Sequence, residues 1–162
     1  MMANIFFPGT FDPITKGHED LILRCVGLFS HLTVALTTNP DKTPLLSIED
    51  RIELLQQSCK GINVTIEVFD GLLVDYVSSV KNPLIVRGVR SINDYIYEHD
   101  RAMMNQSLSN NLETIFLPSK PEFSSLSSTL VREIARLSGD LSSFVSPHVQ
   151  EKLKHYGSQN NR

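Results

Sequence analysis

Short runs rich in β-branched and aromatic residues alternate along the chain with longer stretches whose apolar positions recur at helical spacing. That alternation predicts βαβ units and a parallel sheet. The strands read from it are Asn4–Phe7, Leu32–Thr37, Val64–Phe69, Leu84–Arg87 and Glu113–Leu117. Between the first two, Leu21, Ile22, Cys25, Val26 and Phe29 share one helical face. After the second, Ser47-Ile48-Glu49-Asp50 resembles a capping box and opens a helix carrying Ile48, Ile52, Leu55 and Cys59. Two more crossover helices are predicted over Gly71–Val80 and Ser91–Ser109, with Pro83 at the entry to the fourth strand, where a proline is tolerated. Beyond the fifth strand a Pro/Ser-rich loop, Pro118–Ser125, leads into a helix over Ser127–Leu137, with Gly139 as its C-terminal stop. A last helix opens at Ser146-Pro147, an N-cap followed by proline at the first helical position, with Val149, Leu153 and Tyr156 on one face.

The pattern is that of an open, doubly wound α/β fold: five parallel strands, helices on both faces, and ligands beyond the carboxyl ends of the strands where the strand order reverses. With 162 residues, no internal repeat and no dividing linker, it reads as a single domain over residues 1–157 and a polar tail over 158–162 that frays. No apolar stretch approaches the roughly 20 residues of a membrane span. The start Met1–Phe7 lacks a basic region and meets Pro8-Gly9 too soon for a secretory leader, so a cytoplasmic protein with no membrane partner is expected. A net charge of -3, from 15 basic and 18 acidic residues, argues against a nucleic-acid surface but leaves room for a local basic cluster around a small anion. Cys25 and Cys59 sit in apolar helical patterns and read as buried free thiols.

Four regions carry candidate chemistry. The first strand runs directly into Pro8-Gly9-Thr10-Phe11-Asp12-Pro13-Ile14-Thr15-Lys16-Gly17-His18, where two prolines and two glycines fix a tight backbone path. His18 then falls in the first turn of a helix, where unpaired N–H groups and the dipole favour an anion; the dipole lowers the histidine pKa and a bound phosphate raises it. Thr37–Pro44 follows a strand end and holds Lys42, a compact charge suited to phosphate. Arg87 and Arg90 flank Gly88 at the end of the fourth strand. Ser127, Ser128 and Thr129 open a helix, with Arg132 one turn on. Each feature alone has a plain structural explanation, as a turn cap, a solvated cation or an N-cap.

Taken together, Phe7–Pro13 with Thr15-Lys16-Gly17-His18 resembles the T/HxGH signature of the nucleotidylyltransferases, in the threonine form of the bacterial phosphopantetheine adenylyltransferases. The resemblance continues through Asn39-Pro40-Asp41-Lys42, through Val86-Arg87-Gly88-Val89-Arg90 with Asp94 and Tyr97-Glu98, and through Leu126–Arg132, so it covers about the whole chain in order. It implies transfer of the adenylyl group of ATP to 4′-phosphopantetheine, giving dephospho-coenzyme A and pyrophosphate. It implies catalytic roles for His18 and Lys42, and contacts to phosphopantetheine from Thr10, Lys42, Leu73 and Arg87. ATP contacts are implied for Thr10, Phe11, His18, Gly88, Val89, Arg90 and Glu98, and for Phe123, Ser124, Ser125, Leu126, Ser127, Ser128 and Thr129. It further implies a homohexamer and coenzyme A as feedback inhibitor, and Mg2+ is expected with them, bound through nucleotide phosphates and water with few protein ligands.

In such a reaction the attacking group is already a phosphate oxyanion, so neither a protein nucleophile nor an obligatory general base is needed. The site must instead hold two mutually repelling anions in line and stabilise the charge that grows on the reacting phosphates. Two alternatives share the pocket: a nucleotidylyltransferase with a different acceptor phosphate, and a nucleotide-binding regulator without turnover. The Thr15 form, the length and the Arg87–Glu98 segment favour the pantetheine acceptor, and His18 with Lys42 favours turnover.

Overall fold

The computed structural model describes residues 3–38, 44–109 and 111–157. Five parallel strands, β1 (Asn4–Gly9), β2 (Leu32–Thr37), β3 (Val64–Phe69), β4 (Pro83–Val89) and β5 (Glu113–Pro118), form one sheet in the order β3-β2-β1-β4-β5. Between and after them run α1 (Lys16–Phe29), α2 (Ile48–Ser58), α3 (Leu73–Val77), α4 (Ile92–Leu108), α5 (Ser128–Arg136) and α6 (Pro147–Gly157), with a 3-10 turn at Pro121–Phe123. The expected doubly wound fold is therefore the one found.

Strand alternation divides the core. Ile5 and Phe7 of β1, Val34 and Leu36 of β2 and Val86 of β4 point to one face, where α1, α2, α5 and α6 bury Leu21, Ile22, Leu55, Val131 and Leu153 against them. Phe6 and Ile85, one residue out of phase, point to the other face and meet Val74 and Val77 of α3. Cys25 and Cys59 lie buried in the larger cluster, and burial pushes both thiols up to about 11.

Several boundaries differ from the sequence reading. β1 extends past Phe7, because Pro8 and Gly9 stay in register with Ala35 and Leu36 of β2. On its other side β1 pairs with β4 only over Asn4–Phe6, while β4 stays paired with β5 through Val89. The two central strands thus part company two residues before Pro8, which has no N–H to offer a ladder, and a crevice opens at the switch point. α3 is far shorter than Gly71–Val80: Gly71 takes φ 78 in a turn closed by Asp70, and the Ser78 hydroxyl donates back to the Asp75 carbonyl. After α5 the left-handed position belongs to Ser138, not Gly139. Gly139 N–H reaches Ile134 O (2.9 Å) and Ser138 N–H reaches Ala135 O (3.0 Å), the Schellman pair, so Gly139 sits one place further on. Its missing Cβ is needed there, since one would stand 2.7 Å from Ile134 Cγ2. The tail 158–162 lies outside the described residues.

Candidate active site

A cleft of about 310 Å³ occupies the crevice between β1 and β4. The β1–α1 loop forms its floor. Thr15 caps α1 and makes a reciprocal pair with His18: His18 N–H donates to Thr15 Oγ1 (3.4 Å), and Thr15 N–H donates to His18 Nδ1 (3.1 Å). A backbone N–H can only donate, so Nδ1 keeps its lone pair, and the neutral ring carries its proton on Nε2. The ring packs edge-on to Phe11, centroids 5.2 Å apart. Burial first, then the charges of Arg90 and Arg87, pulls this imidazole down to about 4. The cause differs from the helix dipole expected from sequence. At neutral pH the cleft therefore receives an uncharged Nε2–H donor.

Two arginines from distant helices grip the same loop. Arg51 of α2, 2% exposed, donates to the carbonyls of Thr10 (3.0 Å), Thr37 (3.3 Å) and Ser47 (3.4 Å). Arg132 of α5 donates to Asp12 O (2.6 Å). The buried Asp12 carboxylate accepts from Leu45 N–H (2.8 Å) and Leu46 N–H (2.9 Å), tying the loop to the entry of α2. These ties leave Thr10 lining the cleft, with Phe11 held at φ 46 beneath it.

The start of α5 and the end of β4 complete the lining. Ser127 caps α5 by accepting from Leu130 N–H (3.1 Å), and the Ser128 hydroxyl donates to Pro13 O (2.8 Å). The backbone N–H groups of the first turn face the cleft end of the helix. At the end of β4, Arg87 donates Nε and Nη2 to Glu98 (2.5 and 2.6 Å) and Nη1 to Pro8 O (2.7 Å). Arg90 holds Asp94 through its N–H (3.0 Å) and Nε (3.4 Å), and Leu126 O through Nη1 (2.8 Å). Gly88 admits Leu21, whose Cδ1 would lie 2.3 Å from a Cβ. Among the described lining residues, each arginine faces one carboxylate: Arg87 Glu98, Arg90 Asp94 and Arg132 Asp12.

The cleft thus gathers Thr10, Phe11, His18, Arg87, Gly88, Arg90, Glu98, Phe123, Leu126, Ser127, Ser128 and Thr129 from the sequence expectations. Lys42 lies outside the described residues. Leu73 packs against the smaller core cluster and does not line the cleft; Val89, Ser124 and Ser125 also stand outside its lining. The Ser124 hydroxyl closes the 3-10 turn on Pro121 O (2.8 Å). Sequence reasoning missed Arg51 and the latch role of Asp12. Their signal, a charged side chain at a helical core position and one within the cleft loop, gains meaning only once the partners are in place.

The family model described as cytidylyltransferase-like matches residues 6–134. The chain is 48% identical over 153 residues to a phosphopantetheine adenylyltransferase of Caldanaerobacter subterraneus subsp. tengcongensis, covering 94% of this chain and 96% of the relative. It is 44% identical over 154 residues to one of Hahella chejuensis, with the same coverage. Among solved structures, the Plasmodium falciparum nicotinic acid mononucleotide adenylyltransferase complexed with NaAD superposes with a TM-score of 0.69 at 14% identity, over 99% of this chain and 98% of that one. A bifunctional NMN adenylyltransferase/ADP ribose pyrophosphatase of Francisella tularensis gives 0.68 at 14% identity, over 99% of this chain and 53% of its own. At such identity the two structures speak for the fold alone.

Proposed function

The chain belongs to the phosphopantetheine adenylyltransferases, within the cytidylyltransferase-like family, and on that premise we propose how its cleft performs their reaction. The reaction itself is transfer of the adenylyl group of ATP to 4′-phosphopantetheine, yielding dephospho-coenzyme A and pyrophosphate, a step in making coenzyme A.

A phosphate oxygen of phosphopantetheine attacks the α-phosphorus of ATP, one P–O bond forms as the bond to pyrophosphate breaks, and no proton need leave a protein group. The neutral His18 Nε2–H donates to the α-phosphate oxygen on which charge grows. The supporting observation is the Thr15–His18 pair, which fixes the tautomer before any ligand arrives. Thr10, Phe11, Gly88 and Arg90 line the nucleotide and Phe123, Leu126, Ser127, Ser128 and Thr129 wrap it, with the α5 N–H groups on its phosphates, while Val89, Ser124 and Ser125 back this segment from outside the cleft lining. Thr10, Leu73 and Arg87 serve the acceptor, with Lys42 between the two reacting phosphates. A donor aimed at the transition-state oxygen acts without reorganisation, which is the economical way to stabilise it.

No group of three or more His, Cys, Asp or Glu side chains among the described residues could hold a metal ion. The cleft carboxylates are each engaged by an arginine, so Mg2+ fits as a counter-ion that enters with the nucleotide, carried by phosphates and water. When bound, it neutralises phosphate charge.

Residues 1–157 act as one domain in this reading, in the cytoplasm. No described helix is long and apolar enough to cross a membrane. The exposed Ile92, Ile96, Met104 and Leu108 on α4 support self-association, which we take to be a homohexamer, and coenzyme A, sharing the acceptor's pantetheine arm, acts as an inhibitor. The test is pyrophosphate release with ATP and a panel of acceptor phosphates. Turnover confined to 4′-phosphopantetheine is expected, and preference for a nucleotide monophosphate would overturn the reading.

A further inference from the structure

Glu98 is one of two buried residues of α4. Both of its oxygens are spent on one partner: Oε2 accepts from Arg87 Nε at 2.5 Å and Oε1 from Arg87 Nη2 at 2.6 Å. A third guanidinium hydrogen goes to Pro8 O, at the point where β1 has separated from β4. A guanidinium has five N–H bonds in one plane. With three engaged, one hydrogen on each Nη remains, and the planar fork fixes the direction of both. A carboxylate facing the cleft is itself a poor neighbour for phosphate, since like charges repel.

We infer that Glu98 is a positioning residue for the acceptor: it acts through Arg87, presenting the two remaining N–H bonds to the acceptor phosphate, rather than through the nucleotide. This rests on the reading of Arg87 as the acceptor-phosphate residue. The pair cancels its own charge, so the acceptor is held by two aimed hydrogen bonds instead of a bare cation. Without Glu98, the long arginine side chain must be ordered at each binding event, at the cost of its rotamer freedom.

The experiment compares Glu98→Gln, Arg87→Ala and the double variant. It reads kcat and KM for phosphopantetheine at saturating ATP, and Kd for ATP alone by calorimetry. Glu98→Gln should lower kcat/KM for phosphopantetheine roughly tenfold, leave ATP affinity within about twofold, and add nothing further in the Arg87→Ala background. A purely structural role would lower the melting temperature without this split between substrates. Should Glu98→Gln fold poorly, Glu98→Asp, which keeps the charge but cannot span both nitrogens, should show the same split. Weakened ATP binding with intact acceptor kinetics, or full additivity in the double variant, overturns the inference. An impaired Arg87→Ala beside an untouched Glu98→Gln overturns it alone. Arg87→Ala with intact acceptor kinetics overturns the Arg87 reading as well.

Discussion

The two walls of the crevice solve the same problem, holding anions, by different means. At the starts of α1 and α5 the donors offered to an anion are uncharged, a histidine kept neutral by burial and by two arginines and backbone N–H groups at a capped helix start, while Arg132 of α5 is balanced by Asp12. On the β4 and α4 side they are arginines, each already balanced by a carboxylate of the same wall. Among the described lining residues the cleft therefore carries little uncompensated charge, and direction does the work that net charge would otherwise do. Such donors are in place before the reaction and need no rearrangement during it, whereas free cations would grip ground state and transition state alike.

The contrast is broken most severely at His18. His18→Ala should lower kcat by about 10²–10³ while ATP affinity measured without acceptor changes little, as for loss of one donor aimed at a developing charge. The same residue ties the neutral wall to stability. Unfolded, its ring takes up a proton near the usual 6.5; folded, only near about 4. Between those values the unfolded chain binds the extra proton, so stability falls as pH drops through this window and levels off below it. The loss amounts to up to about 3 kcal/mol. Chemical denaturation across that range should show a steeper slope in the native chain than in His18→Gln.

On the charged wall, Arg87→Ala should weaken phosphopantetheine binding about tenfold or more, the scale of hydrogen bonds to a charged group. Pantetheine lacking the phosphate should bind the variant and the native chain alike in a calorimetric comparison. The smallest effect belongs to Ser127→Ala, which removes the cap of α5 and should cost about 1 kcal/mol in a denaturation midpoint. A loss of ATP affinity should accompany it, because the first turn of α5 frays.

The residues of both walls differ in how far they could be read in advance. The β1–α1 loop was legible because its chemistry is local: prolines, glycines and a helix start fix the backbone within a few residues, although the Thr15–His18 pair, spanning only three, emerged only with the structure. The α5 cap was legible for the same reason. Arg51, 41 residues from Thr10, and Asp12, 33 residues from Leu45, were not, since their meaning depends on which strand ends meet. Glu98 was legible as a cleft residue but not as the partner of Arg87, because a helix and a strand had first to be brought together across the switch point. The length of α3 was misread because apolar spacing continues on both sides of the turn at Gly71 and the serine stop at Ser78. The ends of β1 at Gly9 and of β4 at Val89 were set short because Pro8-Gly9 and Gly88 are poor local signs of strands that, at these ends, pair on one side only.

Catalysis by this cleft requires that the ligand-free chain already present a neutral Nε2–H at His18. Nitrogen-15 NMR of the histidine rings, assigned by comparison with His18→Gln, reads both protonation state and tautomer. A neutral ring protonated on Nε2 at neutral pH is expected, with half-protonation only near about 4. Titration at or above the ordinary value of about 6.5, or a proton resting on Nδ1, would contradict it.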